Sequence, residues 1–399
     1  MKEILNLSYN DLPLHLKACL LYLSIFPENR EIDIGRLVRR WIAEGFITGA
    51  RGVSMEETAR SYLSELISRN MVQPLHPNHD GIPTYCSVQP VMHDFIVCKS
   101  MEENFATLVG ARHQDVSTSN STIRRLSLQN SSKQDQPAAR NESTDLSHSR
   151  SITIFGHAST MPRLDDLKVV RVLDLEGYDG QVCLDGLCKL LLLRYLSLRG
   201  TDVSELPAQI GDLRCLETLD VRSTKVKELP PSIVRLEKLT HLLAGSAKLP
   251  GGITKLKALQ TLSCQAKMKS SVDVIQEING LANLRELELS GDEKEVMFPG
   301  DGFRSLKQLY ISCSSPLVTF EPSALPMVQE LKLTFEKGLA DGSSSVSGIE
   351  NLSNLKHLFV KFSQHDAGAM ATVNAARNAA QAILPNRPEI TLTVAGRNY

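Results

Sequence analysis

Between Leu187 and Leu242 the apolar positions recur with a fixed period. Leu187, Leu190, Leu193, Leu196 and Leu198 are followed 23 positions later by Ile210, Leu213, Leu216, Leu219 and Val221, and 23 later again by Ile233, Leu236, Leu239 and Leu242. Each unit ends in LxxLxL, as in Leu193-Arg194-Tyr195-Leu196-Ser197-Leu198. Its period of two marks a short strand with one buried face. The head of a unit, Leu206 to Leu213, has Pro207 where a helical turn can begin and apolar residues three or four apart, the pattern of a short 3₁₀ or helical segment. One such unit cannot bury its leucines alone, so neighbours must stack into a leucine-rich-repeat solenoid, a horseshoe with a strand-lined concave face.

The same reading extends the array on both sides. Ile123 to Leu128 and Ser151 to Ile154 read as early strands, and Val170, Leu173 and Leu175 join the regular register. Between them Gln129 to Arg150 is almost wholly polar, with Leu146 its one aliphatic side chain larger than alanine, and reads as a flexible excursion. Beyond Leu242 the strand leucine steps through Leu262, Leu287, Leu309, Leu331 and Leu358, so insertions loosen the period, the Ser/Gly-rich stretch Gly338 to Gly348 being one. Asp366 can cap an alanine-rich helix ending before Pro385, and Glu389 to Val394 forms a last strand, together a terminal cap over 366–399.

Before residue 110 the period changes to that of helices. An apolar helix through Cys19 to Phe26 is stopped by Pro27, whose ring bars helical geometry at the residue before it. Asp33 caps a second helix carrying Ile34, Leu37, Val38, Trp41 and Ile42 at helical spacing, with Arg36, Arg39 and Arg40 outside that stripe and read as a solvated face; Gly45 and Gly49 mark its end. A third helix starts near Met55 and carries Ala59, Tyr62, Leu63, Leu66 and Ile67. Met71 to Leu75 and Tyr85 to Val88 read as two strands around a polar loop. Three helices and a β-wing make a winged helix over 1–110, so the expected architecture is α/β: a winged-helix domain followed by leucine-rich repeats over 111–399.

Charge and chemistry narrow the function. The net charge is -1, the third helix mixes Glu56, Glu57 and Glu65 with Arg60 and Arg69, and no Lys or Arg lies between Met71 and Val97, so the surface would not neutralise a row of phosphates and nucleic acid is not an expected partner. No run of 18 apolar residues suits a bilayer, and the start at Met1 is amphipathic and unlike a signal peptide, which predicts a cytoplasmic protein without membrane insertion. Eight scattered cysteines with no CxxC pair read as reduced structural thiols. His76 and His79 lie three apart in the wing loop without further ligands, and no nucleophile motif appears, so no metal site and no enzyme is expected. The informative positions are the strand residues that point from the concave face: Arg194, Tyr195 and Arg199, then Glu217, Asp220 and Arg222, His241, Arg285, Glu286 and Glu288, Lys307 and Tyr310, Lys332, His357, Phe359 and Lys361. Aromatic anchors within a mixed-charge rim suit a protein partner.

Three ordered motifs carry a resemblance. Cys19-Leu20-Leu21-Tyr22-Leu23-Ser24-Ile25-Phe26-Pro27, then Leu37-Val38-Arg39-Arg40-Trp41-Ile42-Ala43-Glu44-Gly45-Phe46-Ile47, then Val91-Met92-His93-Asp94 after the wing resemble the C-terminal winged-helix part of the NB-ARC module in plant nucleotide-binding leucine-rich-repeat disease-resistance proteins, best the coiled-coil branch of cereals. The resemblance runs on through the repeats, where Glu205-Leu206-Pro207 and Glu228-Leu229-Pro230 match intracellular plant repeats. It implies that His93, within Met92-His93-Asp94, contacts the β-phosphate of bound ADP, to which an imidazole N–H can donate. Asp94 would then orient that ring or cap a helix beginning at Phe95. It also implies that the repeats recognise a pathogen effector or a host protein and regulate a nucleotide-dependent switch.

One departure qualifies this. A GxxxxGK[ST] loop and an acidic metal-site strand do not occur in the sequence. Met1 falls after where the family's nucleotide pocket would lie, so no cofactor is expected for this chain alone; ADP and ATP belong to the full-length family. The alternative roles are a regulatory or decoy partner of a full-length receptor, or an extracellular repeat ectodomain. Formal glycosylation sequons, among them those at Asn120, Asn130 and Asn351, are all that favour the ectodomain.

Overall fold

The computed structural model describes residues 2–49, 52–77, 81–110, 122–130, 145–156, 161–265, 271–291, 295–314, 317–339, 345–365, 367–382, 387–394 and 396–398. These residues gather into two compact units, Met1–Asp202 with Cys215–Thr218, and Val203–Arg214 with Leu219–Tyr399. The winged helix and the first repeats therefore belong to one unit.

In the first unit α1 (Lys2–Asn10) precedes α2 (Leu14–Tyr22), which tightens into a 3₁₀ turn over Leu23–Ile25 and ends in extended backbone at Phe26, the residue before Pro27. After β1 (Ile32–Asp33), Asp33 caps α3 (Ile34–Glu44) by accepting the Arg36 N–H at 2.6 Å, and Gly45 closes it in the left-handed conformation at φ 84°. Helix α4 (Met55–Ser68) opens on a reciprocal capping box between Ser54 and Glu57. The wing pairs β2 (Gln73–Pro77) and β3 (Pro83–Ser87) antiparallel, with β1 on the other edge of β3. Helix α5 (Pro90–Glu102) returns across the domain. Leu16, Leu20, Leu37, Trp41, Leu63, Leu66 and Ile96 form its core, which also takes in Phe155 from the repeats.

The repeats of this unit add parallel strands β4 (Thr107–Val109), β5 (Arg125–Asn130), β6 (Ser151–Gly156), β7 (Val172–Asp174) and β8 (Tyr195–Ser197). Leu126, Ile152, Leu173 and Leu196 stand in register and are buried. Both described ends of the expected excursion from Gln129 to Arg150 are built into the fold. Gln129 is buried on β5, and Leu146 and Ser149 are buried ahead of β6; residues 131–144 lie outside the described residues.

The second unit stacks parallel strands at His241–Gly245, Thr261–Gln265, Glu286–Gly291, Gln308–Cys313, Glu330–Phe335, His357–Phe362 and Glu389–Val394. Leu242, Leu262, Leu287, Leu309, Leu331 and Leu358 form its ladder of core leucines, in register and wholly buried. The repeat heads are 3₁₀ turns, such as Ile210–Asp212 and Pro231–Arg235, as the Pro placement predicts. Where the period loosens, the inserted residues form α6 (Ser271–Ile278) and a second parallel sheet of Glu295–Phe298, Leu317–Phe320 and Val346–Ser347, whose Phe298 and Phe320 rings stack at 5.4 Å. The alanine-rich helix is α7 (Ala367–Gln381); its expected cap Asp366 and terminator Pro385 lie outside the described residues. Among the described residues no helix is long and apolar enough to cross a membrane.

Candidate functional site

Helix α3 places Arg36 and Arg40 one turn apart on the same side, and that side meets the strand face of the first repeats. Asp174, at the end of β7 and wholly buried, accepts from Arg36 Nε at 2.9 Å and Nη2 at 2.7 Å, and from Arg40 Nη1 at 2.7 Å. Glu176 pairs with Arg36 at 2.8 Å, so two cations meet two anions. The remaining Arg40 donors reach Thr153 Oγ1 on β6 and the Tyr22 hydroxyl. Burial opposes a charged carboxyl at Asp174, yet the two guanidiniums outweigh it and hold the group below the usual carboxylate range. Burial likewise opposes charge on Arg36, and Asp174 and Glu176 reverse that effect.

The ends of the contact use backbone groups. Arg125 on β5 pairs with the buried Glu44 at 3.1 Å and lies against the Phe46 and Phe105 rings, 5.0 and 4.2 Å from their centroids. Arg171 and Arg194 each donate at 3.4 Å to carbonyls at the end of α3, Glu44 O and Ile42 O, where the helix dipole is negative. At the other end the Ile25 carbonyl accepts from Ser127 Oγ at 2.6 Å and Gln129 Nε2 at 2.9 Å.

Two expectations are corrected here. Arg36 and Arg40 are not a solvated face: they are 6% and 0% exposed. Their lying outside the apolar stripe holds within the winged helix, but the polar side of α3 is covered by the repeats, whose Asp174 satisfies it. Nor is Tyr195 open to a partner. It is 1% exposed and packs with Val172 against Ala43 of α3. Arg194 is half-buried and pairs with Glu217 at 3.3 Å, and Arg199 stands 4.0 Å from Glu176. Arg194 and Tyr195, at the start of the expected partner surface, are thus engaged by the chain's own winged helix. Asp174, Thr153, Ser127 and Gln129, which build this contact, were absent from the expected site; Asp174 occupies the x position between Leu173 and Leu175, and nothing in its local pattern marks it.

In the second unit the expected exposure of Asp220 and His241 is corrected too: Asp220 is buried and gripped by Arg222 at 3.0 and 2.7 Å, and His241 is buried as well. Glu288, Tyr310, Lys332 and Phe359 form one row across adjacent strands. Glu288 and Arg285 are exposed, Tyr310 is half-buried, and Phe359 is largely covered beside the stacked His357 ring. Burial and then the Glu330 and Glu286 carboxylates push the Tyr310 phenol far above its ordinary range.

Met92 and His93 lie in the first turn of α5 and are both 8% exposed. His93 Nε2 is 2.9 Å from the Phe26 carbonyl, which fixes it as the N–H tautomer that donates there. Asp94 is exposed and sits inside α5, which starts at Pro90 with Gln89 as its N-cap, so the expected helix start at Phe95 is corrected. Pro90 is the reason: its fixed φ suits a first helical position. His76 pairs with Glu31 at 3.1 Å on the wing; His79 lies outside the described residues.

A winged helix set on leucine-rich repeats is the class of protein that this geometry defines. Residues 25–96 match the disease-resistance-protein winged-helix domain, and residues 148–298 match the leucine-rich-repeat region family. Rice disease resistance protein PIK6-NP is 40% identical over 195 residues, 48% of this chain and 18% of that protein. Rice disease resistance protein RGA5 is 36% identical over 296 residues, 73% of this chain and 26% of that protein. The chain belongs to the plant disease-resistance family, in its winged-helix and leucine-rich-repeat portions. It spans between 18% and 26% of the length of these relatives. Among solved structures, a leucine-rich-repeat protein of Leptospira interrogans superposes with a TM-score of 0.48 at 18% identity, covering 67% of this chain and 72% of that one.

Proposed function

We propose that this chain is the sensing and restraining portion of an intracellular plant immune receptor, in which the repeats read a protein ligand, a pathogen effector or a host protein, and hold the winged helix of a nucleotide-dependent switch. The carrying observation is the buried Arg36–Asp174–Arg40 cluster, which seats α3 on the strand face of β6 and β7. Such a seat ties whatever disturbs the repeats to the winged helix. The ligand face then falls on the second unit, where Glu288, Arg285 and Tyr310 offer charge and an aromatic surface. The role is binding, not catalysis, and it is exercised in the cytoplasm. ADP or ATP is held by the full-length receptor, with His93 as the winged-helix contact.

The test is a chimera in which this chain replaces the matching portion of a rice relative, expressed in leaf tissue. Cell death is expected to stay low without ligand and to rise when Asp174→Asn is added. Equal cell death with and without the substitution, at equal protein level, sinks the restraint reading. Separately, calorimetric titration of the purified chain with ADP and ATP is expected to show no binding; micromolar affinity overturns the assignment of nucleotide binding to the full-length receptor.

A further inference from the structure

His93 and the repeats meet on two neighbouring carbonyls of one short turn. The 3₁₀ turn Leu23–Ile25 leads into Phe26. The Ile25 carbonyl is gripped from the repeats by Ser127 Oγ at 2.6 Å and Gln129 Nε2 at 2.9 Å. The next carbonyl, Phe26 O, accepts from His93 Nε2 at 2.9 Å. Little slack separates them. Phe26 is held at φ -84° and ψ 144°, in the extended region that the following Pro27 imposes, and each peptide unit is planar. The Phe26 ring is buried beside Phe155 of β6 at 5.9 Å and lies under the Arg36 and Arg40 guanidiniums, 5.7 and 5.0 Å from their carbons. Gln129 Nε2 also donates to Ser127 Oγ at 3.2 Å, so the two grips act as a pair.

We propose that the repeats set the position of His93 through this turn, with Ser127 and Gln129 as positioning residues that hold the Phe26 carbonyl where the imidazole can bond it. A 3₁₀ segment closing an α-helix is a natural place for such a hinge, because its bonds are less well aligned than those of the helix. When β5 grips Ile25, the histidine is tied to a backbone acceptor; when the grip is released, the ring loses its partner. The coupling rests on the proposed restraint of the switch for its biological meaning. Its geometry needs only the folded first unit.

The experiment is ring-selective nuclear magnetic resonance of the full chain labelled with ¹⁵N-histidine, the His93 signal being assigned by its loss in His93→Gln. In the wild type a His93 Nε2–H signal protected from solvent exchange is expected. In Ser127→Ala/Gln129→Leu its exchange should be about tenfold faster or more, from the loss of two hydrogen bonds, while Ser263→Ala in the second unit leaves it unchanged. Gln129→Leu alone should give a smaller shift in the same direction and serves if the double variant does not fold. An unchanged His93 signal in a folded Gln129→Leu or double variant overturns the proposal. A nucleotide titration of the same samples is read separately, so failure of the nucleotide role does not alter this outcome.

Discussion

Asp174 is the residue on which the first unit turns. It is wholly buried and answers two guanidiniums, so removing its charge leaves Arg40 uncompensated in a low-dielectric site and Arg36 with Glu176 alone. Asp174→Ala is expected to cost about 3–5 kcal/mol in urea unfolding, the range for breaking a buried pair from one side. The pH dependence has a definite sign. The folded-state carboxyl is held below its unfolded value of about 3.9. Its stabilisation is therefore complete well above pH 4 and is lost as the pH falls below that, towards the folded value. Unfolding curves between about pH 6 and pH 2 should fall more steeply for wild type than for Asp174→Asn; parallel curves would show that another group governs the acid transition. In the sequence Asp174 is only a polar residue between Leu173 and Leu175. Its partner is 134 positions away on a different kind of element, beyond the reach of any local pattern.

At the scale of elements most of the architecture follows from local rules. The 3.6 period of Ile34, Leu37, Val38 and Trp41, the Asp33 cap and the Gly45 stop give α3 its bounds within a residue. Gly45 sits at φ 84°, and a methyl added there would come no nearer than 3.5 Å to its closest neighbour, Arg171 Nη1. Gly45→Ala should therefore cost about 1 kcal/mol through backbone strain alone, measurable as a lowered thermal midpoint with unchanged secondary structure. The repeat leucines follow their period as well. Leu196→Ala, at a position with no exposure, should cost roughly 2–5 kcal/mol by chemical denaturation. Local rules fail where an element's second face is concerned. A helix pattern separates apolar from polar positions, but it cannot say whether the polar side meets water or another carboxylate, and Arg36 and Arg40 meet the latter. The second sheet built from Val296, Phe298, Val318 and Phe320 was likewise hidden, because its strands interrupt the main period and pair only with one another.

For the whole molecule, the joining of winged helix to repeats in one compact unit predicts shared cooperativity. In native-state hydrogen exchange the amides of α3 and of β6 should open with the same free energy, since their cores share Phe155 and the buried ion cluster. Asp174→Asn should separate the two, and independent opening already in the wild type would argue against a common unit. The family, the winged helix and the repeats were legible from the sequence because each is written in short-range spacing: a helix cap, an LxxLxL tail, a Met92-His93-Asp94 motif. Which charges would be buried, which strand face the winged helix would cover and what His93 would bond were decided only by the tertiary structure. Those outcomes depend on residues brought together across 67 to 152 positions, where the cost of desolvating each charge is met by a partner that sequence spacing does not reveal.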